Sequence, residues 1–152
     1  MKFVYPEMIV GYKPSDIPQD VHETLIRTMN AVNKLGEDYP SPMAAKRGWR
    51  SKEDNAKAGG VDTSPHLTGH AFDIVDPGQK LALWCCKNPA KLEACGLFME
   101  DPAMTVGINM PWCHLQIREA KSGTIFRPFP YTQKQEDESL AWWKAHNLKR
   151  PF

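Results

Sequence analysis

The sequence predicts an α+β fold in which helices flank a small antiparallel sheet. A segment near the N-terminus and another near the C-terminus have helical patterns, and the residues between them include several short runs typical of strands. The chain has 152 residues, which is close to the usual size of one domain, and neither a repeat nor a linker divides it. We therefore expect residues 1–152 to form a single domain.

The clearest helix is predicted between Asp16 and Gly36. Apolar residues recur in this segment at intervals of three and four, which is typical of one helix face; they are Val21, Leu25, Ile26, Met29, Val32 and Leu35. Asp16 is the expected N-terminal cap, Pro18 fits the first turn, and Gly36 is expected to end the helix.

A short strand and a short helix are expected to follow. Residues 43–50 have the pattern of a strand, and Ser51 is suited to cap a helical turn over residues 53–58. The glycine pair at 59–60 would end that turn. Arg50 is therefore expected at the junction of a strand and a helix.

The middle of the chain predicts a strand, a turn and two short helices. Residues 70–75 have strand character, and residues 76–78, which read Asp-Pro-Gly, are strong turn formers. The first helix is expected over residues 79–87. The second is expected over residues 89–96, with Asn88 as its cap and a proline in its first position.

Two further strands and a C-terminal helix complete the predicted fold. Residues 97–100 and 112–117 have strand patterns, and we expect them to be neighbours in the sheet. Residues 133–146 are expected to be helical, with Thr132 as the cap and a tryptophan pair that packs the helix onto the core.

Composition and charge argue against several classes of function. The chain has 19 basic and 18 acidic residues, so no excess charge favours nucleic-acid binding. The longest apolar run, residues 81–86, is far shorter than the roughly 20 residues that span a bilayer. The N-terminal segment 1–7 lacks the pattern of a secretory signal. The four cysteines have no paired spacing and are expected to be buried thiols.

The segment 64–73 contains two of the three residues that predict a metal site. His66 and Asp73 are separated in it by a turn and the start of a strand, and His114 offers a third ligand. A catalytic zinc site typically has three protein ligands and an open fourth position, and two histidines with one carboxylate suit Zn²⁺. Each residue taken alone also has an ordinary explanation, as a hydrogen-bonded histidine or a solvated carboxylate.

The alternation of side chains along a strand indicates which of them can converge. In the strand at 70–75, Asp73 lies on one face and His70 on the other, so His70 is expected to be a structural or rim histidine. In the strand at 112–117, His114 shares a face with Gln116, a candidate hydrogen-bond partner for a ligand. Cys113 points the other way, into the expected core.

As a unit, the segment 64–73 resembles the first motif of the zinc D-alanyl-D-alanine carboxypeptidase family, which is related to the hedgehog-type fold. That motif reads Ser-x-His-x-x-Gly-x-Ala-x-Asp. Every fixed position is matched here, by Ser64, His66, Gly69, Ala71 and Asp73. The resemblance implies that His66, Asp73 and His114 hold the zinc ion.

Two further segments extend the resemblance over residues 44–116. Residues 47–55 resemble the family's Ser-Gly-Tyr-Arg-Ser segment, whose arginine contacts substrate or steadies negative charge and corresponds to Arg50. A guanidinium can offer two parallel donors to a carboxylate or an oxyanion; an ordinary surface salt bridge is the alternative. Residues 112–116 resemble the closing strand of the family, where an aromatic residue often precedes the last histidine ligand by two.

The general base departs from the family pattern. Many relatives have an acidic residue three positions before the last histidine, where this chain has Pro111, which cannot accept a proton. Glu100 and Asp101 are the nearest acidic candidates. We expect Glu100 to carry the proton because it ends a strand, whereas Asp101 precedes Pro102 and is expected to turn out to solvent. The alternative for each is a solvated charge.

The resemblance implies a zinc peptidase that cuts the stem peptides of bacterial peptidoglycan, at D-Ala-D-Ala or at L-Ala-D-Glu. A compact chain of this kind resembles a bacteriophage lysis or tail-associated enzyme, made in the host cytoplasm and acting at the cell wall or carried in the virion. One alternative, which Pro111 permits, is a zinc-bearing structural or binding module of a phage particle that has lost hydrolysis. Another is hydrolysis of a different peptide or amide. Neither a nucleic-acid partner nor membrane insertion is expected.

Overall fold

The computed structural model describes Phe3 and residues 9–152, so the segment 1–7 lies outside the described residues except for Phe3. The described chain confirms the α+β fold, with five α-helices and a five-stranded, mostly antiparallel sheet. The helices are α1 Gln19–Asp38, α2 Lys52–Lys57, α3 Lys80–Lys87, α4 Pro89–Ala94 and α5 Gln133–Ala145. The strands are β1 Ala44–Arg47, β2 Ala71–Val75, β3 Phe98–Glu100, β4 Trp112–Gln116 and β5 Ile125–Phe126. None of the described helices is both long and apolar enough to cross a membrane.

The sheet has the strand order β1-β2-β4-β3-β5. Neighbouring strands are antiparallel except β3 and β5, which are parallel. The pairing of β3 with β4 confirms that the strands at 97–100 and 112–117 are neighbours. Strand β5 was not predicted, because two residues are too short to show an alternating pattern. It forms the edge of the sheet opposite β1.

One face of the sheet belongs to the hydrophobic core and the other carries the polar residues of the predicted metal site. Phe72 and Ile74 of β2 and Leu115 of β4 are fully buried in the core, where α1 packs against β2. Cys113 is also buried there, as alternation predicted. Since successive side chains of a strand point to opposite faces of the sheet, Asp73, which lies between Phe72 and Ile74, points away from the core face.

Helix α1 differs from the prediction at both ends. Asp16 does not cap it; it lies in a separate 3-10 turn, where its carboxylate accepts a hydrogen bond from the amide of Lys13. Gly36 does not end it, because the helix continues to Asp38. The Met43 side chain packs closely against this glycine, since a Cβ at residue 36 would lie 2.6 Å from the Met43 Cε atom unless that flexible side chain shifted.

Two of the four predicted caps form the expected side-chain hydrogen bonds. The hydroxyl of Ser51 accepts a hydrogen bond from the amide of Asp54 in α2, and Thr132 forms a capping box at α5. Asn88 occupies the N-cap position of α4, as predicted, but its side chain forms no capping hydrogen bond and donates instead to the carbonyl of Trp84 near the end of α3. Four cysteines are free thiols, two of them buried and two, Cys86 and Cys95, half-buried.

Asp101 does not turn out to solvent, and this part of the prediction is wrong. The residue is fully buried, because Pro102 begins a 3-10 turn that directs the preceding carboxylate inward. That carboxylate accepts hydrogen bonds from Tyr131 Oη at 2.8 Å, Ser139 Oγ at 2.6 Å and Trp143 Nε1 at 2.9 Å. Asp101 therefore ties the end of β3 to the C-terminal helix.

Replacing Asp101 by asparagine is expected to lower the free energy of unfolding by about 2 kcal/mol, because an amide nitrogen would face donors that now reach a carboxylate. Chemical denaturation of the metal-free protein measures the change. The matched control is Asp38→Asn, which breaks only an exposed ion pair with Lys91 and is expected to cost less than about 1 kcal/mol. Equal stability of the two variants would contradict an anchoring role for Asp101.

Candidate metal centre

The fixed positions of the segment 64–73 each have a local structural reason. The hydroxyl of Ser64 accepts a hydrogen bond from the amide of His66 and so begins the 3-10 turn that presents this histidine. Gly69 ends the turn with a φ of 80°, in the left-handed region that favours glycine. A Cβ at Gly69 would also come within about 3 Å of α1. Ala71 is fully buried in β2, two residues before Asp73.

The structure brings the three predicted ligands together on one face of the sheet. Asp73 and His114 are opposite each other in the β2–β4 pair, with 2.9 Å between Oδ1 and Nδ1. His66 approaches from its turn, with 3.3 Å between Nε2 and the other carboxylate oxygen, Oδ2. One ligand atom from each residue lies within 4.8 Å of the other two, and all three residues are buried.

The second nitrogen of each histidine is held by a hydrogen-bond acceptor. His66 Nδ1 lies 2.7 Å from the carbonyl of Gly48, which can only accept, so this nitrogen carries the proton. The amide nitrogen of Gln116 donates to the carbonyl of Arg118, which leaves the Gln116 Oε1 atom, 2.9 Å from His114 Nε2, as an acceptor. In the neutral rings, His66 Nε2 and His114 Nδ1 therefore present lone pairs towards Asp73.

The electrostatics of the cluster favour a bound cation. Burial alone would raise the pKa of Asp73, but the adjacent histidines outweigh burial and hold the pKa well below its usual range. Burial alone would lower the pKa of His114, but its hydrogen bond to the Asp73 carboxylate and that charge raise the pKa to about 9. A divalent ion bound to the cluster would replace the positive charge that the protonated His114 ring supplies in the metal-free protein. Two imidazoles and one carboxylate are a donor set typical of zinc, so the residues present fit this metal.

Glu100 lies beside the three ligands. The β3–β4 register pairs Phe98 with Gln116 and Met99 with Leu115, and continuing it by one residue sets Glu100 opposite His114. The Glu100 Oε2 atom lies 3.9 Å from His114 Nδ1. Burial, with a smaller effect from nearby carboxylates, raises the pKa of Glu100 to about 7.

Arg50 follows β1 at the opposite side of the cluster. The backbone amide of Arg50 donates to the carbonyl of His66, which fixes the backbone of Arg50 next to the 3-10 turn that carries His66. Its Nε atom is buried and has no hydrogen-bond partner among the described residues. Burial lowers the pKa of the guanidinium, with the charge of Asp73 acting in the opposite sense, but arginine remains protonated at neutral pH.

The ligands, Glu100 and Arg50 line a single cleft of about 370 Å³. Its remaining walls include Trp112 at the start of β4, together with Phe126 and Phe129 from the C-terminal part of the chain. Phe126 and Phe129 were not predicted to line the cleft, since the two-residue strand β5 and the segment after it show no pattern of their own. The Gly48 carbonyl was not predicted either, because a backbone acceptor leaves no signal in a sequence. His70 lies outside the cluster, with its Nδ1 atom 2.6 Å from the hydroxyl of Thr68.

The α+β fold and the buried His-Asp-His cluster together define a protein with a candidate mononuclear metal centre in an open cleft. A family model described as Peptidase M15 matches residues 1–101, two thirds of the chain, and the chain belongs to this family, which is zinc-dependent. The predicted resemblance is thereby confirmed. The match includes His66 and Asp73 and ends before His114. A comparison with curated proteins found no match.

Proposed function

We propose that the protein is a zinc peptidase that cleaves the stem peptides of bacterial peptidoglycan, at D-Ala-D-Ala or at L-Ala-D-Glu. It would act at the bacterial cell wall, as a bacteriophage lysis or tail-associated enzyme. The observation that carries the proposal is the convergence of three metal-ligand side chains, a carboxylate and a guanidinium on one cleft. Membership of the Peptidase M15 family supports it independently.

The chain supplies a complete set of metal ligands for this reaction. His66 would bind zinc through Nε2, Asp73 through its carboxylate and His114 through Nδ1, because these atoms converge and the distal nitrogens are already hydrogen-bonded. A bound zinc ion with one open position lowers the pKa of water to near neutrality and polarises a carbonyl. Gly48 and Gln116 would keep the two rings in the orientation that binding requires.

Glu100 would carry the proton between water and the leaving nitrogen. Hydrolysis of an amide needs a group that removes a proton from the attacking water and returns one to the amine. The Glu100 carboxylate is fixed by the β3–β4 pairing next to His114, whereas Pro111, at the position of the usual acidic residue, has no proton acceptor. A carboxylate from the neighbouring strand thus replaces the missing one, and this favours an enzyme over an inactive binding module.

Arg50 would stabilise negative charge in the cleft. Its buried Nε donor has no partner among the described residues, and an unpaired buried donor is costly unless a ligand satisfies it. A substrate carboxylate or the developing oxyanion can accept two parallel hydrogen bonds from a guanidinium. The position of Arg50 in the lining of the cleft supports a role in substrate binding.

A zymogram on purified cell walls, combined with metal analysis, tests the proposal. The protein is expected to hold close to one equivalent of zinc and to clear the murein, to lose both on chelation, and to regain both when zinc is restored. Zinc binding without any murein cleavage would instead indicate the binding module. Cleavage of other peptides but not of murein would contradict the proposed substrate.

Replacing Arg50 by lysine is expected to preserve the fold and the zinc content but to lower kcat/KM by roughly 10- to 100-fold, because a point charge cannot reproduce two directed hydrogen bonds. Steady-state kinetics on a soluble murein peptide measure the loss. Arg27→Lys, an exposed position on α1, is the matched control and should behave as the wild type. Wild-type kinetics for Arg50→Lys would show that Arg50 has no role in substrate binding or charge stabilisation.

A further inference from the structure

A second space lies beside the edge strand β1, and none of the three metal ligands lines it. Its volume of about 440 Å³ is typical of a site for a small ligand or for part of a larger one. Strand β1, helix α2 and the turn at residues 9–12 form its walls. Among the described residues, three cations line it, Lys46, Arg47 and Lys57, together with one carboxylate, that of Asp54. This space is called the cationic pocket below.

An irregularity in β1 directs two of the cations to the same side of the sheet. The β1–β2 register shifts between residues 45 and 47, as at a β-bulge, so that Lys46 is an extra residue and Arg47 lies opposite Asp73. Opposite residues share a face, which places Arg47 on the face away from the core. Lys46 lies on this face too, since its ammonium is 4.4 Å from the centre of the Trp112 ring, which lines the metal cleft. Regular alternation would have turned one of these neighbouring cations towards the core.

The positive charges of the cationic pocket are not neutralised by ion pairs within the described part of the chain. The ion pairs of lysine and arginine found there involve other residues, and none includes Lys46, Arg47 or Lys57. The Asp54 carboxylate already accepts a hydrogen bond from the Tyr12 hydroxyl. Three positive charges that line one space repel one another, and a bound anion would remove this repulsion. The charge distribution therefore favours an anionic ligand.

The wall opposite β1 is held in place before any ligand binds. The Tyr12 ring packs edge-on against the Trp49 ring, with 4.6 Å between the centroids. The Tyr12 hydroxyl accepts a hydrogen bond from the amide of Ser51 at 3.1 Å and donates to Asp54. These contacts tie the turn at residues 9–12 to the start of α2. A pocket with preformed walls loses less conformational entropy when a ligand binds.

The separate positions of the cations favour a chain of phosphate groups over a single carboxylate. One carboxylate has two oxygens, and a single guanidinium such as that of Arg47 can engage both. Lys46 on β1 and Lys57 at the end of α2 would then have no anionic partner in the pocket. A phosphodiester chain carries a negative charge in every repeat, so successive groups can contact cations on different walls, and linked contacts strengthen one another.

Among phosphodiester chains, one without bases fits the pocket best. Single-stranded nucleic acids gain much of their affinity when bases stack on aromatic rings. The aromatic ring in the described lining, that of Tyr12, is already packed against Trp49. A chain of small polyols linked by phosphates requires charge contacts but no such stacking surface.

We propose that the cationic pocket binds the phosphate groups of an anionic cell-wall polymer of the poly(glycerol phosphate) type. The choice of a wall polymer rests on the proposed action at the cell wall, whereas the anion site itself rests on the charges of the pocket. Ala58 lines both the cationic pocket and the metal cleft, so the two spaces are neighbours. A polymer attached to murein would therefore hold the cleft close to stem peptides without entering it.

Isothermal titration calorimetry of the zinc-loaded protein with poly(glycerol phosphate) tests the inference. Arg47→Gln is expected to weaken binding by about tenfold, because the guanidinium can form charge-assisted hydrogen bonds with phosphate oxygens. Lys57→Gln should weaken it by about threefold, as expected for an exposed ion pair. Added salt should weaken binding to the wild type, since it screens charges at the surface.

Each variant has a matched control outside the cationic pocket. Lys87→Gln is the control for Lys57→Gln, because both lysines are exposed and are the last residues of short helices. Arg27→Gln, at an exposed position on α1, is the control for Arg47→Gln. Both controls should bind the polymer as the wild type does. Lys57 is exposed, so its replacement tests the pocket even if Arg47→Gln disturbs β1.

Two further ligands identify the source of the phosphate groups. One is glycerol 3-phosphate, which has a single phosphate, and the other is a single-stranded oligonucleotide with as many phosphates as the polymer. We expect both to bind at least about tenfold more weakly than the polymer, since the first cannot contact several cations at once and the second is bulkier at each repeat.

The outcomes separate the inference from the proposed function. Wild-type affinity for the polymer in both Arg47→Gln and Lys57→Gln would overturn the inference, and so would loss of binding when zinc is chelated, which would place the phosphates at the metal centre. Oligonucleotide binding as tight as that of the polymer would overturn the choice of a wall polymer. Murein clearing by a protein that does not bind the polymer would refute the inference alone, whereas polymer binding without murein clearing would support it and count against the peptidase.

Discussion

Replacement of His66, Asp73 or His114 by alanine is expected to abolish stoichiometric zinc binding and, with it, peptidase activity. Each residue supplies one of the three converging ligand atoms, and no other group of three His, Cys, Asp or Glu residues in the described chain could hold a metal ion. Loss of an outer partner of a metal ligand typically costs 10- to 100-fold in metal affinity, so loss of a ligand itself should cost more than about 100-fold.

Zinc content after dialysis against a weak chelator, together with competition titration, measures this effect. His70→Ala is the matched control, because this histidine lies four residues from His66, outside the cluster, and should leave zinc affinity unchanged. Gln116→Leu should give an intermediate loss, since it removes the acceptor of His114 Nε2 but none of the three ligand atoms. Full zinc retention in any two of the three ligand variants would refute the site.

Circular dichroism of the ligand variants distinguishes loss of a ligand from loss of the fold. In the metal-free protein, replacing His66 or His114 removes a group that pairs with the buried Asp73 carboxylate and leaves that charge less compensated. Replacing Asp73 removes the charge itself. We therefore expect Asp73→Ala to retain the metal-free fold at least as well as either histidine variant. If all three variants are unfolded, zinc binding would be measured on Asp73→Asn instead, in which an amide, a weaker ligand, replaces the carboxylate.

The sequence predicted those parts of the site that depend on local structure. Ser64, Gly69 and Asp73 belong to a cap, a turn and a strand within ten residues, and such short-range features are encoded by the residues themselves. Strand alternation then identified which side of β4 His114 occupies, and the register confirms that it lies opposite Asp73. Glu100 was named as a candidate because β3 and β4 were expected to pair, and their register sets it beside His114.

Features that depend on distant partners were missed or predicted wrongly. Asp101 was expected in solvent because Pro102 follows it, but three of its hydrogen-bond partners lie 30 to 42 residues further along the chain. Gly36 was expected to end α1, but the helix continues to Asp38 and the Met43 side chain packs against this glycine. Both errors arise because tertiary packing overrides a local preference, and no pattern in the neighbouring residues records it.

Replacement of Glu100 by glutamine is expected to keep the zinc and to lower kcat by roughly 100-fold or more, which is the usual effect of removing a general acid or base. The amide has almost the same shape as the carboxylate but cannot take a proton from water. The Oε2 atom of Glu100 lies 3.9 Å from His114 Nδ1 and faces the cleft. Single-turnover kinetics on a soluble murein peptide, with zinc content measured on the same sample, give the result.

Asp101→Asn is the adjacent control, and the structure explains why its effect on turnover should be much milder. The Asp101 carboxylate is fully buried, and its oxygens already accept hydrogen bonds from Tyr131, Ser139 and Trp143, so it has no access to water in the cleft. Its kinetics must be measured well below its own unfolding transition, because the same substitution is expected to reduce stability. A wild-type rate in both amide variants would show that the base lies elsewhere. A loss of turnover in Asp101→Asn as large as that in Glu100→Gln, in fully folded protein, would contradict the assignment of the proton to Glu100.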